Sequence, residues 1–200
     1  MAILSTSQQP YIDPYIPAVQ LLGSPLIAQT IGLNPAQANA NTGLTTNTER
    51  FVAVYLPVPA KITGAIIVSR VAGSFTANNE NSIALFSISA GTITKQAVTA
   101  NDPTIWQAAA NAFKQVAFGT PYFAPAGIYF LGLLYNSSAQ TTQPQIAFGT
   151  SAGSAVQNAP ILSNSTSLSL YLSTAANTQP SSQAASGLSQ LSSIPWVGLY

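Results

Sequence analysis

The chain has no cysteine and no histidine, and only nine of its 200 residues carry a formal charge. Without cysteine there are no disulfides and no thiolate metal sites, and the redox compartment stays open. Without histidine and cysteine, the usual nucleophilic triads and thiol chemistry are excluded. The charge deficit bears on partners. An ordinary soluble domain is about 25% charged; here the figure is 4%. Eight of the nine charges lie between Glu49 and Lys114, residues 115–200 carry none, and the first 48 residues carry only Asp13. Five basic and four acidic groups leave no cluster of Lys or Arg to meet phosphates, so no nucleic-acid partner is expected. The same deficit argues against an anionic membrane surface. A net charge near zero favours association. Such a surface suits cover by partners, or solvation by neutral hydroxyls and amides. Both point to a structural or binding protein of a large assembly.

Long apolar runs are also missing. The longest, Gly127-Ile-Tyr-Phe-Leu-Gly-Leu-Leu-Tyr135, has nine residues, whereas a helix needs about 20 to cross a bilayer. It reads as a buried strand, and no membrane insertion is expected. The start, Met1-Ala-Ile-Leu-Ser, has neither a basic nor a long apolar region, so no secretory signal is expected. Hydrophobic residues make up 47% of the chain, enough for a core and too many for disorder throughout.

What is present divides the chain in two. Residues 1–48 carry prolines at 10, 14, 17, 25 and 35 with apolar residues between them. Proline breaks helices and central strands, so this part is expected to be an extended, proline-rich N-terminal arm. Two readings stand for it: an arm on a neighbouring surface, or a meandering N-terminus packed on its own domain. Residues 34–47 read as a loop. Residues 49–200 read as one β-sandwich domain. Strands are predicted at Phe51–Leu56, Ile62–Val71, Ser82–Ser89, Thr92–Val98, Val116–Phe118, Ile128–Tyr135, Gln145–Phe148 and Ser167–Ser173. One short helix is predicted over 101–113, with Asp102 as N-cap, Pro103 in the first turn and Lys114 at the negative end. A polar loop is expected at 174–193, followed by an apolar end, Ile194-Pro-Trp-Val-Gly-Leu-Tyr200.

The inventory for chemistry is small: Asp13, Glu49, Glu80 and Asp102 are the only carboxylates. Glycoside hydrolysis needs two at a set separation; a Glu80–Asp102 pair is the one candidate, and Asp102 is better explained as a helix cap. Glu49 beside Arg50 reads as a solvated or paired rim charge. Asn78, Asn79, Glu80 and Asn81 offer oxygens to Ca²⁺, but a single carboxylate makes a poor site, and a polar hairpin loop is the better reading. No enzyme, cofactor or metal is expected. Trp106, Trp196, Tyr122, Tyr135, Tyr171 and Tyr200 are candidate platforms for sugars, although strand aromatics are more often core. Asn136-Ser-Ser138 and Asn164-Ser-Thr166 match the glycosylation sequon.

The order of these segments resembles a module of bacteriophage virion proteins. The strand Phe51–Leu56 is followed by Lys61–Val71, then by Ser82–Ser89 ending in Ala90-Gly91-Thr92. A Trp106 segment precedes Phe123-Ala-Pro-Ala-Gly-Ile-Tyr-Phe130, which is similar to a strand of phage tail, fibre and head-decoration sandwiches. Ile194-Pro-Trp-Val-Gly-Leu199 resembles endings of the same group. The resemblance implies an all-β, jelly-roll-like antiparallel sandwich, a virion location, other virion proteins as partners, a homotrimer and no catalytic residues. Two functions follow. The first is a capsid, decoration or tail component, held by neutral faces, arm and C-terminus; its candidate assembly contacts are Tyr11, Ile12, Tyr15, Ile16, Leu21, Leu22, Trp196 and Tyr200. The second is a module on the particle that binds a receptor or a host surface glycan.

Overall fold

The computed structural model describes residues 26–30, 40–149, 171–191 and 194–200. It is an antiparallel β-sandwich, with every strand pairing antiparallel. The apolar runs of the sequence supply its long strands: β3 (Thr48–Leu56), β4 (Ala60–Val71), β6 (Ser82–Ser89), β7 (Thr92–Val98) and β9 (Gly127–Tyr135). One half is built by β7 on β6, β6 on β9, and β9 on β3, the last in register from Thr48↔Tyr135 to Leu56↔Gly127. The other half is built on β4. It pairs along one edge with β8 (Ala112–Ala124) and along the other with β15 (Val197–Leu199) and β11 (Gln145–Phe148).

The halves are continuous. A short strand, β1 (Ala28–Thr30), lies between β3 and β15. On the other side an isolated bridge, Thr99↔Phe118, ties the end of β7 to β8. The remaining strands extend the edges. Residues 40–43, expected as loop, form β2 (Ala40–Gly43) on β11. Strand β12 (Tyr171–Ala175) pairs with β3 beside β1 and carries β14 (Ser189–Gln190); β13 (Ser182–Ala184) pairs with β7. A separate ribbon joins β5 (Ser74–Ala77) to β10 (Ser137–Thr142).

The main core fills the space between the halves. Val52, Val54 and Leu56 of β3, Ile83 and Leu85 of β6, and Leu131 and Leu133 of β9 belong to one cluster with Ile62, Ala65 and Ile67 of β4. Successive strand residues point to opposite faces, so Phe51, Ala53, Phe86 and Phe130 must lie outside that core. They are nonetheless fully buried. A second cluster covers them with Ile93, Leu172, Ala185 and Leu188. A third gathers Ile66, Val68, Ala147 and Trp196 on the outer face of β4. Two-sided burial explains why β3, β4 and β9 read as continuous apolar runs rather than alternating ones. Each large apolar side chain buried this way contributes about 1.5–3 kcal/mol.

The helix is shorter than the sequence suggests. It spans only Thr104–Gln107 (α1). Its start is as expected: Oδ1 of Asp102 accepts the Thr104 N–H at 2.9 Å. Ala108, Ala109 and Ala110 favour helix by propensity, yet all three are exposed and have no apolar face to bury. Ala109 and Asn111 instead turn the chain with φ of 47° and 53°. This brings Phe113 onto Trp196, edge to face at 5.7 Å. Lys114, now in β8, still reaches the helix and donates to Ile105 O at 2.7 Å.

Candidate functional site

Two features depart from what packing alone requires: a buried carboxyl at one end of the sandwich and an apolar rim at the other. Glu49, the second residue of β3, lies on the same face as Phe51 and Ala53. It is fully buried, and neither carboxyl oxygen has a hydrogen-bond partner. It lies against Gly132 of β9; a Cβ there would collide with Glu49 Oε1 and come within 2.7 Å of the Phe86 ring. From the connection between β12 and β13, Gln179 closes over this spot. Its Nε2 donates to Ser82 O at 3.3 Å and to Gly132 O at 3.4 Å. Its Oε1 has no partner.

Charged neighbours fix Gln179 by its backbone. Glu80 Oε2 accepts the Gln179 N–H at 2.9 Å, and Glu80 Oε1 accepts the Ser82 hydroxyl at 2.7 Å. Lys95 Nζ donates to Gln179 O at 3.0 Å. Burial pushes the Glu49 carboxyl up to about 9, the negative charge of Glu80 adds to the rise, and Lys95 opposes it. Glu49 is therefore protonated at neutral pH. Protonation supplies a donor to a spot where three oxygens otherwise lack one. The expected solvated or paired rim charge is corrected here, since Glu49 is buried and unpaired. Arg50, next on the strand, points to the other face, where it donates to Tyr171 Oη and Thr45 Oγ1, both at 3.1 Å. A carboxyl with no accessible surface meets no substrate. The segment above it is held instead through Gln179, by Glu80, Lys95 and the carbonyls of Ser82 and Gly132.

Beside it lies a neutral network. Asn81 Oδ1 accepts the Asn136 N–H at 3.0 Å, and Asn81 Nδ2 donates to Asn136 O at 3.0 Å. Asn136 Nδ2 donates to Glu80 O and to Asn177 O. Asn136 is fully buried, so the folded protein offers no acceptor at that sequon; Asn164 lies outside the described residues. Among the described residues no group of three or more His, Cys, Asp or Glu side chains is arranged to hold a metal.

At the opposite end, the turn between β3 and β4 and the turn between β8 and β9 come together. The exposed large apolar side chains of the described residues are Tyr55 (54%), Val58 (61%) and Phe123 (72%), all at this end. Pro57, Pro59, Pro125 and Ala126 are exposed beside them. Lys61, also exposed, stands across the β4–β8 pair from Phe123. A shallow cleft of about 300 Å³, lined by Ser74, Phe75, Thr76, Gln140 and Thr141, opens between β5 and β10.

Of the candidate assembly contacts, Tyr11, Ile12, Tyr15, Ile16, Leu21 and Leu22 lie outside the described residues. Trp196 is fully buried in its own chain, and its indole N–H donates to Gln29 Oε1 at 3.1 Å. Tyr200 is half-buried; its carbonyl accepts from the Thr63 N–H at 2.6 Å. Among the candidate sugar platforms, Trp106, Tyr135 and Tyr171 are also buried, and Tyr122 is half-buried. Charge and spacing in the sequence did not reveal Glu49 as buried. The available signal was its place two residues before Phe51, on a strand with two apolar faces. Compared with known proteins, the chain matches no family model and no curated protein.

Proposed function

We propose that the chain is a non-enzymatic structural component of a virion, a capsid, decoration or tail protein whose copies assemble through neutral faces. The observation that carries this reading is the segregation of the surface. Among the described residues, a nearly uncharged sandwich exposes its large apolar side chains at one end. A surface with so little charge has little electrostatic repulsion to keep copies apart. The described carboxylates each have a structural task, which supports a role without catalysis. Glu49 is sealed in, Glu80 holds Ser82 and Gln179, and Asp102 caps α1. The virion location and a trimeric state rest on the resemblance of the strand order to phage sandwiches. The glycan-binding reading has less support, because four of its six aromatic candidates are buried. Quantitative mass spectrometry of gradient-purified virus particles from the source culture tests the proposal. The chain should be present at many copies per particle. Recovery only in the soluble fraction would overturn the reading.

A further inference from the structure

The chain after β12 leaves that strand and returns to it. Ala175 ends β12, and the Leu191 N–H donates to Tyr171 O, at the start of β12, at 3.1 Å. Between these points the chain runs to the opposite edge of the sheet, where Ser182–Ala184 pair with Thr92–Thr94 of β7. It turns back through a single 3-10 turn at Ala185–Gly187. Residues 176–188 thus form a flap with its hinge on β12 and its tip on β7. Its hold is thin. Of residues 176–191 only Gln179, Ala185 and Leu188 are buried. Ala185 and Leu188 nevertheless close over Phe51, Phe86 and Phe130. A segment with so few buried apolar contacts opens before the body beneath it does.

Gln179 is the latch. Its Nε2 donates to Ser82 O and Gly132 O, which turns Oε1 toward Glu49. A Cβ on Gly132 would collide with Glu49 Oε1 and lie 3.2 Å from Gln179 Oε1, so the two oxygens converge on one point. A proton on Glu49 serves both. Without it, acceptor faces acceptor with no donor between them. Turning the Gln179 amide over would give Glu49 a donor and break both bonds to the carbonyls. A buried, unpaired carboxylate is costly, and water reaches it only when a cover lifts. Strands β3, β6 and β9 are held by continuous pairing; the flap is the cover with least to lose. The charges facing Glu49 are Glu80, from the connection before β6, and Lys95, from β7. The flap, β9 and β12 bring no charged side chain. Their tyrosines, Tyr129, Tyr135 and Tyr171, belong to the main core on the other face.

We propose that residues 176–188 are a pH-operated flap, which lifts about its β12 hinge when Glu49 ionises and uncovers Phe51, Phe86 and Phe130 while the sandwich below stays folded. The device works within one chain, whether or not copies assemble.

Hydrogen exchange read by mass spectrometry on the full chain tests it, at pH 7 and pH 10, on either side of the folded value near 9. After correction for intrinsic rates, protection of the 176–188 amides in the wild type should fall by at least about tenfold at the higher pH. The β3 and β9 amides should stay protected, and Glu49→Gln should hold its flap closed at both values. A second variant locks the tip. Thr94→Cys with Ser182→Cys joins two exposed positions that face each other across β7 and β13, in a chain with no other cysteine. At pH 10 the reduced form should bind an apolar dye such as anilinonaphthalene sulfonate, and the oxidised form should not. Equal flap protection in wild type and Glu49→Gln at pH 10 would overturn the proposal. So would loss of flap and β3 protection together, or equal dye binding by the locked and reduced forms.

Discussion

Glu49 ties the stability of the fold to pH, and the sign follows from which state holds its proton. The folded carboxyl titrates near 9 and the ordinary value is 4.5. Between these values the folded state binds more protons than the unfolded state, so stability falls as pH rises. The contribution is fully present below about 4.5 and lost as pH passes through the folded value near 9. Glu80 extends this dependence to higher pH and Lys95 shortens it, because the one charge raises and the other lowers the folded value. Urea denaturation should therefore find the wild type less stable at pH 8 than at pH 5. Glu49→Gln keeps the shape and removes the ionisation. It should flatten the profile and raise stability at pH 7 by at most about 3 kcal/mol. Equal wild-type stability at pH 5 and pH 8 would contradict the buried, protonated carboxyl.

At the scale of elements, local conformation and burial divide what the sequence showed from what it hid. The turn between β6 and β7 uses Ala90 at φ 48° and Gly91 at φ 77°, a two-residue hairpin that wants positive φ at both positions. Alanine is strained there and asparagine is not. Ala90→Asn should raise stability by about 1 kcal/mol, read as a shifted urea midpoint with unchanged slope. Loss of stability would mean that Ala90 makes contacts the turn geometry does not account for. Strands β6, β7 and β11 were legible to the residue, because β-branched and aromatic runs end there at turn residues. Strand β8 was legible only at Val116–Phe118: its flanks hold Ala, Lys, Gly, Thr and Pro, and its extent comes from pairing along β4. The strands β2, β13 and β14 were not legible at all. They are built of Ala, Asn, Thr, Ser, Gln and Gly, and follow the register of β11, β7 and β12 rather than an apolar pattern. The helix failed in the opposite way. Its propensity ran on to Ala110, but its packing ended with Trp106, whose indole N–H donates to Leu134 O at 3.0 Å.

For the whole molecule, the sandwich has two unlike ends. One concentrates Glu49, Glu80, Asp102 and the asparagine network. The other shows Tyr55, Val58 and Phe123 to solvent with Lys61 among them. The all-β class was legible from strand count and turn spacing. The exposure of Tyr55, Val58 and Phe123 at one end was not, since Phe123 is far in sequence from the other two and reaches the same end only when β8 pairs with β4. The central claim is that this asymmetric, nearly uncharged body works by joining copies of itself. Sedimentation velocity on the full chain and on a chain beginning at Leu26 tests it most directly. The later start leaves β1 intact and removes only residues 1–25. The full chain should sediment as one discrete oligomer, with a trimer the first expectation. The shortened chain should keep its β-rich circular dichroism and dissociate toward the monomer. A full chain that stays monomeric at its highest soluble concentration would contradict the account.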